Sequence, residues 1–236
     1  SPSPITANSI YSGESYDARM EAPYPGGFTN PELRGNYTHS WFGSVHSEQT
    51  HGDLIPQEID PIRALGEYPG SVLKCFSKTN LVYDVKQNLA GFCRIKVKGE
   101  RGAKITLRHA ETLKEDGHID QTNLRTADQE DVYILKGEGE ETYTPRFTYH
   151  GFRYVEVWLE GEVELLALTA LHVHTDSRKI GEFSCDDPAL NRLHRMAVIT
   201  EENNQHSILT DCPQRDERFG WMNDLSTRLF QNVYNF

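Results

Sequence analysis

The stretch Cys93-Arg94-Ile95-Lys96-Val97-Lys98 decides the fold. Apolar and charged residues alternate with a period of two, which places one set on a buried sheet face and the other in solvent. Working outward, Ile105 and Leu107 alternate with Thr106 and Arg108, and Val155, Val157 and Leu159 with Tyr154, Glu156 and Trp158. Turn signals separate these runs at Gly99-Glu100-Arg101-Gly102, Asp116-Gly117, Gly137-Glu138-Gly139 and Glu160-Gly161. Short strands at this spacing predict a mainly β domain, an antiparallel β-sandwich or jelly roll over residues 71–178. Val163 to Val173 is apolar on both faces over part of its length and reads as a central strand.

On the N-terminal side, residues 1–70 are rich in Pro, Gly, Ser and Asn, with clusters such as Pro23-Tyr24-Pro25-Gly26-Gly27. They read as loops with a few short strands. Tyr16, Tyr24, Phe28, Trp41 and Phe42 are many aromatics for a linker, so the segment is expected to pack along the sandwich, the Trp41-Phe42 pair as core or interface. Leu54, Ile55, Ile59, Ile62 and Leu65 suit short edge strands and turns. On the C-terminal side the period changes near residue 180. Asp187-Pro188 places a capping carboxylate before a proline at the first helical position, and Leu190, Leu193, Ala197 and Val198 share a helical face. The pattern predicts a helix from Pro188 to about Asn203, a loop over Leu209 to Gly220 and a second helix from near Asn223. Strands followed by helices mean separate domains or α+β, with a boundary at about residue 178 and a helical unit over 179–236.

Composition excludes several classes. The 236 residues carry a net charge of −11, which repels a phosphate backbone and argues against nucleic acid as a partner. No run approaches the ~18 apolar residues of a membrane span. Cys75, Cys93, Cys185 and Cys212 have neither CxxC nor zinc-finger spacing and read as free, mostly buried thiols.

The chemistry concentrates in Thr210-Asp211-Cys212-Pro213-Gln214-Arg215-Asp216-Glu217-Arg218-Phe219-Gly220-Trp221-Met222-Asn223-Asp224. Aromatics interleaved with carboxylates and arginines suit a sugar pocket: rings stack on the apolar face of a pyranose while charged groups bond its hydroxyls. A carboxyl beside an aromatic is partly desolvated, which favours the protonated form a general acid needs. Composition alone leaves a functional loop and a solvated inter-helix loop both open.

Asp211 to Arg218, with Gly220-Trp221 and Asp224, resembles the active-site signature of the bacterial α-L-rhamnosidases of glycoside hydrolase family 78. Gly13-Glu14-Ser15-Tyr16-Asp17-Ala18-Arg19 resembles that family's GE-x-YDAR segment. Tyr83-Asp84, Gln87-Asn88-Leu89-Ala90-Gly91, Arg108-His109-Ala110-Glu111 and Tyr149-His150-Gly151-Phe152-Arg153-Tyr154 resemble its β-sandwich domain. The resemblance implies a concanavalin-like sandwich followed by the first helices of an (α/α)6 barrel, and inverting hydrolysis of terminal α-L-rhamnose from glycosides or glycans. By position it implies Glu217 as the general acid, Asp211, Arg215 and Asp224 as groups bonding the rhamnose hydroxyls, and Trp221 as an aromatic wall. It implies neither cofactor nor metal, since glycoside hydrolysis needs two carboxyls and water.

Two departures stand out. The family's general base is a Glu later in the barrel, and no such segment occurs here. The chain is therefore expected to be a piece of a longer rhamnosidase, inactive alone. Met222-Asn223 stands where many members carry a small or polar residue and Gly, a change that Asn tolerates in left-handed backbone; Gly220 is expected to let the chain turn toward the helix. A non-catalytic carbohydrate-binding sandwich and a barrel glycosidase of other specificity are the competing readings. Elsewhere plain readings are preferred. Asp84 reads as a buried structural carboxylate satisfied by backbone donors. His172 and His174 read as exposed or core histidines, because no third ligand is placed by sequence. The charges around His109, Glu111, Glu115, Asp116 and His118 read as a solvated hairpin. Asn36-Tyr37-Thr38 reads as a chance sequon.

Overall fold

The computed structural model describes residues 4–21, 53 and 55–236. The expectations for Tyr24, Phe28, the Trp41-Phe42 pair, Asn36 to Thr38 and Leu54 lie outside the described residues. In chain order the strands are β1 (Ile5–Ser9), β2 (Gly13–Asp17), β3 (Ile62–Pro69), β4 (Ser71–Ser77), β5 (Asn80–Gly99), β6 (Lys104–Ala110), β7 (Thr112–Leu113), β8 (Ile119–Asp120), β9 (Glu130–Ile134), β10 (Glu140–Tyr143), β11 (His150–Glu160) and β12 (Val163–Thr175). Helix α1 (Pro188–Asn203), the short strands β13 (Gln205–His206) and β14 (Ile208–Leu209), and helix α2 (Met222–Asn235) follow.

Ten of these strands form one curled sheet in the order β1-β2-β9-β6-β11-β5-β12-β3, with β4 and β10 also on β5. The 20-residue β5 is the hub of this sheet: its first part pairs with β4 and β11, its last with β10 and β12. The predicted alternation is realised on it. Cys93, Ile95 and Val97 are fully buried and join Ile105, Leu107, Val155, Val157 and Phe152 in the main core. The pairings are antiparallel except β2–β9, which is parallel. Sequence alternation could not show that pairing, because it joins segments more than a hundred positions apart. The described part of the loop-rich N-terminal segment supplies β1, β2 and β3 to this sheet, β3 as an end strand. Glu14 on β2 is buried and accepts from Tyr143 Oη (3.0 Å), Arg146 N and Phe147 N, so the segment around it holds the sheet end together.

The β5–β11 register jumps opposite Phe152 and Tyr154, and Lys86 on the bulge has φ +67°. Asp84 secures this kink. It accepts from Lys86 N (2.7 Å) and from Arg153 Nε and Nη2 (3.0 and 3.1 Å). The arginine bonds and the Lys86 contacts outweigh burial and hold the Asp84 carboxyl down at about 2. Asp84 is therefore the structural carboxylate expected, satisfied by an arginine fork as much as by backbone.

Just beyond the kink, the sheet receives α1. Asn203 Oδ1 accepts from Ala90 N and is bonded by His172 Nε2, both at 2.9 Å, while Asn203 Nδ2 donates to Asn88 O. A side chain at Gly91 would overlap the Leu171 carbonyl oxygen of the neighbouring strand, so only glycine fits there. Helix α1 has its predicted bounds: Asp187 caps it by accepting from Ala189 N (2.7 Å), with Pro188 in the first turn. Its apolar stripe is not buried, however. Leu190, Leu193 and Met196 are exposed, as are Leu229, Phe230, Val233 and Tyr234 of α2. The helices are joined by Gln231 Nε2 to Ala197 O (2.9 Å) and Asn232 Nδ2 to Glu201 Oε1 (3.1 Å). No helix among the described residues is long and apolar enough to cross a membrane. Two of the four thiols, Cys93 and Cys212, are buried; Cys75 is exposed and Cys185 half-buried.

Candidate active site

The loop between β14 and α2 closes on itself. Asp211 N donates to Phe219 O (3.0 Å), and Phe219 N donates back to Asp211 Oδ1 (2.8 Å). Inside this ring Arg215 bridges two carboxylates, with Nη2 on Asp211 Oδ2 (2.9 Å) and Nε on Glu217 Oε2 (3.0 Å). Trp221 Nε1 donates to Glu217 Oε1 (2.9 Å), so the indole edge fixes the other carboxyl oxygen. The Glu217 side chain is 19% exposed, and Trp221, at 51%, offers its ring to solvent. Four of the five residues singled out by sequence thus meet: Asp211, Arg215, Glu217 and Trp221. Asp224 lies in the exposed first turn of α2, where a negative charge suits the helix N-terminus, and its carboxylate bonds none of the other four.

Burial raises the Asp211 carboxyl. Bonds from Phe219 N–H, Cys212 and Arg215 outweigh that and leave it below the usual carboxylate range. It is a fixed anion at neutral pH, suited to orienting Arg215 or a sugar hydroxyl. The turn differs from expectation in detail. Arg218, with φ +56°, takes the left-handed conformation, not Gly220, and Met222 and Asn223 already belong to α2.

Arg218 stands inside the signature and ties the loop in a way that the residue pattern gives no sign of. It is buried, and among the described residues no carboxylate pairs with it. Its guanidinium donates to Tyr149 O (2.7 Å), Arg215 O (3.0 Å), Gln214 O (3.2 Å) and Ile10 O, and lies over the Tyr149 ring at 4.7 Å. It thereby pins the loop to the sandwich. Gly151 completes the fit, since a Cβ there would meet Pro213 Cγ and Gln214 Cβ at 2.8 and 2.9 Å. Arg218→Met leaves these carbonyl oxygens without their donor and is expected to cost about 3 kcal/mol. The melting temperature should then drop by about 6–12 °C. A drop below about 2 °C would mean that water replaces the guanidinium at no cost.

Sequence also left His172 and His174 without a third partner. The structure brings Glu202 from α1 to them, the ligand-capable atoms lying within 4.8 Å of one another; His109, Asp131 and His150 form a second such trio. All six are buried. His172 Nε2 is engaged by Asn203 and Glu202 by Lys179 (2.6 Å), and the His109 and His150 rings stack at 4.3 Å. His172 and His174 are core histidines, and so is His109, which the solvated-hairpin reading had placed at the surface. Clefts of about 490 and 540 Å³ run along α1, and none of the signature residues lines them.

The fold and site together define a class: a concanavalin-like β domain leading into the first helices of a hairpin-type glycosidase domain. Two family models match in that order, the bacterial α-L-rhamnosidase concanavalin-like domain over residues 74–174 and the bacterial α-L-rhamnosidase six-hairpin glycosidase domain over residues 178–236. The chain belongs to the bacterial α-L-rhamnosidase family. It is 39% identical over 225 residues to an α-L-rhamnosidase of Streptomyces avermitilis, covering 94% of this chain and 21% of that protein. It is 33% identical over 237 residues to one of an Alteromonas species, covering 98% and 25%. Among solved structures it is similar to an α-L-rhamnosidase from Dictyoglumus thermophilum (TM-score 0.89, 40% identity, 99% of this chain and 26% of that one). It is equally similar to the Streptomyces avermitilis enzyme complexed with L-rhamnose (TM-score 0.89, 37% identity, 100% and 22%). The chain spans about a quarter of the length of the relatives it matches.

Proposed function

We propose that the protein is an inverting α-L-rhamnosidase whose proton donor is Glu217. The observation that carries this reading is the closed loop in which Asp211 and Arg215 anchor one side of the Glu217 carboxyl and Trp221 the other, in a chain of this family. In the reaction, Glu217 gives its proton to the glycosidic oxygen as the bond to the sugar's anomeric carbon breaks. Water adds to that carbon from the opposite face, and its proton goes to the second carboxylate that inversion requires. Asp211, Arg215 and Asp224 are the groups proposed to bond the rhamnose hydroxyls, and Trp221 to wall the ring; no cofactor takes part. The binding of L-rhamnose by a relative supports the choice of sugar. The division into a sandwich over 71–178 and a catalytic domain from 179 follows the same reading, supported by the end of β12 at Thr175 and the change of matching family model after residue 174.

A panel of aryl glycosides assayed with the protein at its relatives' full length tests the substrate. Preferential hydrolysis of the α-L-rhamnoside is expected. Equal rates on other sugars would reject rhamnose specificity.

A further inference from the structure

The candidate acid is held by more than its own loop. Arg125, in the turn between β8 and β9 of the sandwich, pairs through Nη1 with Glu217 Oε2 at 2.9 Å. The next residue, Thr126, donates from N (3.3 Å) and from its hydroxyl to Asp216 Oδ2. Two consecutive sandwich residues thus grip two consecutive residues of the signature loop. Tyr11, following β1, donates from its hydroxyl to the Glu217 carbonyl (3.2 Å).

The turn that carries Arg125 is itself fixed. Leu124 and Ala127, on either side of the Arg125-Thr126 pair, are buried, and Ala127 N donates to Leu124 O (3.2 Å). Arg125 has φ +59° and ψ −111°, a conformation that disfavours any residue with a Cβ. Such backbone persists where its surroundings over-determine it, and it clusters at sites that need a side chain aimed. Here what it aims is a guanidinium at a carboxyl.

We infer that Arg125 is a positioning residue for Glu217, and that the sandwich domain thereby sets which oxygen of the acid carries the transferable proton. This inference rests on the proposed acid role. Oε2 already receives Arg215 Nε and Arg125 Nη1, and two arginine donors leave it no lone pair for a proton. The proton therefore rides on Oε1, whose second lone pair receives Trp221 Nε1–H. When the Oε1–H bond breaks and the proton joins the leaving oxygen, a negative charge appears on the carboxylate. Arg125 and Arg215 are already in place to stabilise it, with no reorganisation needed at that moment.

The test compares two rhamnosides on the full-length enzyme, one with a nitrated phenol that departs without help and one with an alcohol that needs protonation. Arg125→Gln should lower kcat by about ten- to a hundredfold on the second and by less than about twofold on the first, with the melting temperature unchanged; Arg125→Lys should restore most of the loss. Equal losses on both substrates, or no loss on either, would overturn the inference. Glu217→Gln, run in parallel, separates the two levels of the argument. If it shows the leaving-group split and Arg125→Gln does not, only the positioning role falls. If Glu217→Gln lacks the split, the acid assignment falls and the positioning role with it.

Discussion

Glu217→Gln is expected to lower turnover of an unactivated rhamnoside by the full-length enzyme about 10²–10⁴-fold, the usual worth of a positioned general acid. Gln fills the same space, and its amide oxygen can keep accepting from Arg125 and Arg215 while its nitrogen takes the Oε1 position, but that nitrogen has no acidic proton to give. The effect should fall on kcat, because the proton moves only as the glycosidic bond breaks. Rhamnose affinity should stay nearly unchanged. A carbohydrate-binding module would behave differently: the substitution would leave its sugar affinity intact and there would be no turnover to lose. A loss of less than a few-fold would remove Glu217 from the acid role and return the loop to a binding or structural one.

The second large effect concerns stability against pH. Burial pushes His109 down to about 3, helped by the neighbouring His150 and opposed by Asp131. It pushes His172 down to about 4, with His174 adding to it and Glu202 opposing. It pushes His206 down to about 3, with Arg218 adding to it and a backbone bond at Val173 opposing. In the unfolded chain all three titrate near 6.5. Below that pH the unfolded state takes up protons that the folded state refuses. Stability from these groups is therefore complete above pH 6.5 and is lost as pH falls toward 4. Three protons correspond to about 4 kcal/mol per pH unit in that window. Guanidinium unfolding at pH 7.5 and pH 5.5 should show a steep fall in midpoint between the two. A flat profile would mean that these imidazoles accept protons in place, which their burial does not allow.

The parts of this molecule that were legible in its sequence are those set by neighbouring residues. The alternation at Cys93–Lys98 places three residues in the core because a strand's faces alternate. Asp187 and Pro188 announce the start of α1 because a cap is a local bond. The signature loop is legible because Asp211, Arg215, Glu217 and Trp221 lie within eleven positions and bond one another. What could not be read is non-local. The parallel β2–β9 pair and the kink in β5 depend on strand partners far along the chain. Thr126 grips Asp216 from 90 positions away, and no periodicity connects them. Helical spacing finds the stripe Leu190, Leu193 and Ala197 on α1, yet its outer members face solvent, because spacing identifies a face but not what covers it. The tie made by Arg218 is illegible for a related reason: a charged residue in a charged run reads as solvated, and only its four carbonyl partners reveal a buried tie.

The most direct test of the account is a crystal structure of the full-length enzyme with an unreactive rhamnoside bound. Glu217 Oε1 should lie about 2.6–3.2 Å from the glycosidic oxygen, with Asp211 or Arg215 on the sugar hydroxyls and the Trp221 ring against the pyranose. A rhamnoside seated elsewhere, with Glu217 beyond hydrogen-bond reach of that oxygen, would contradict it.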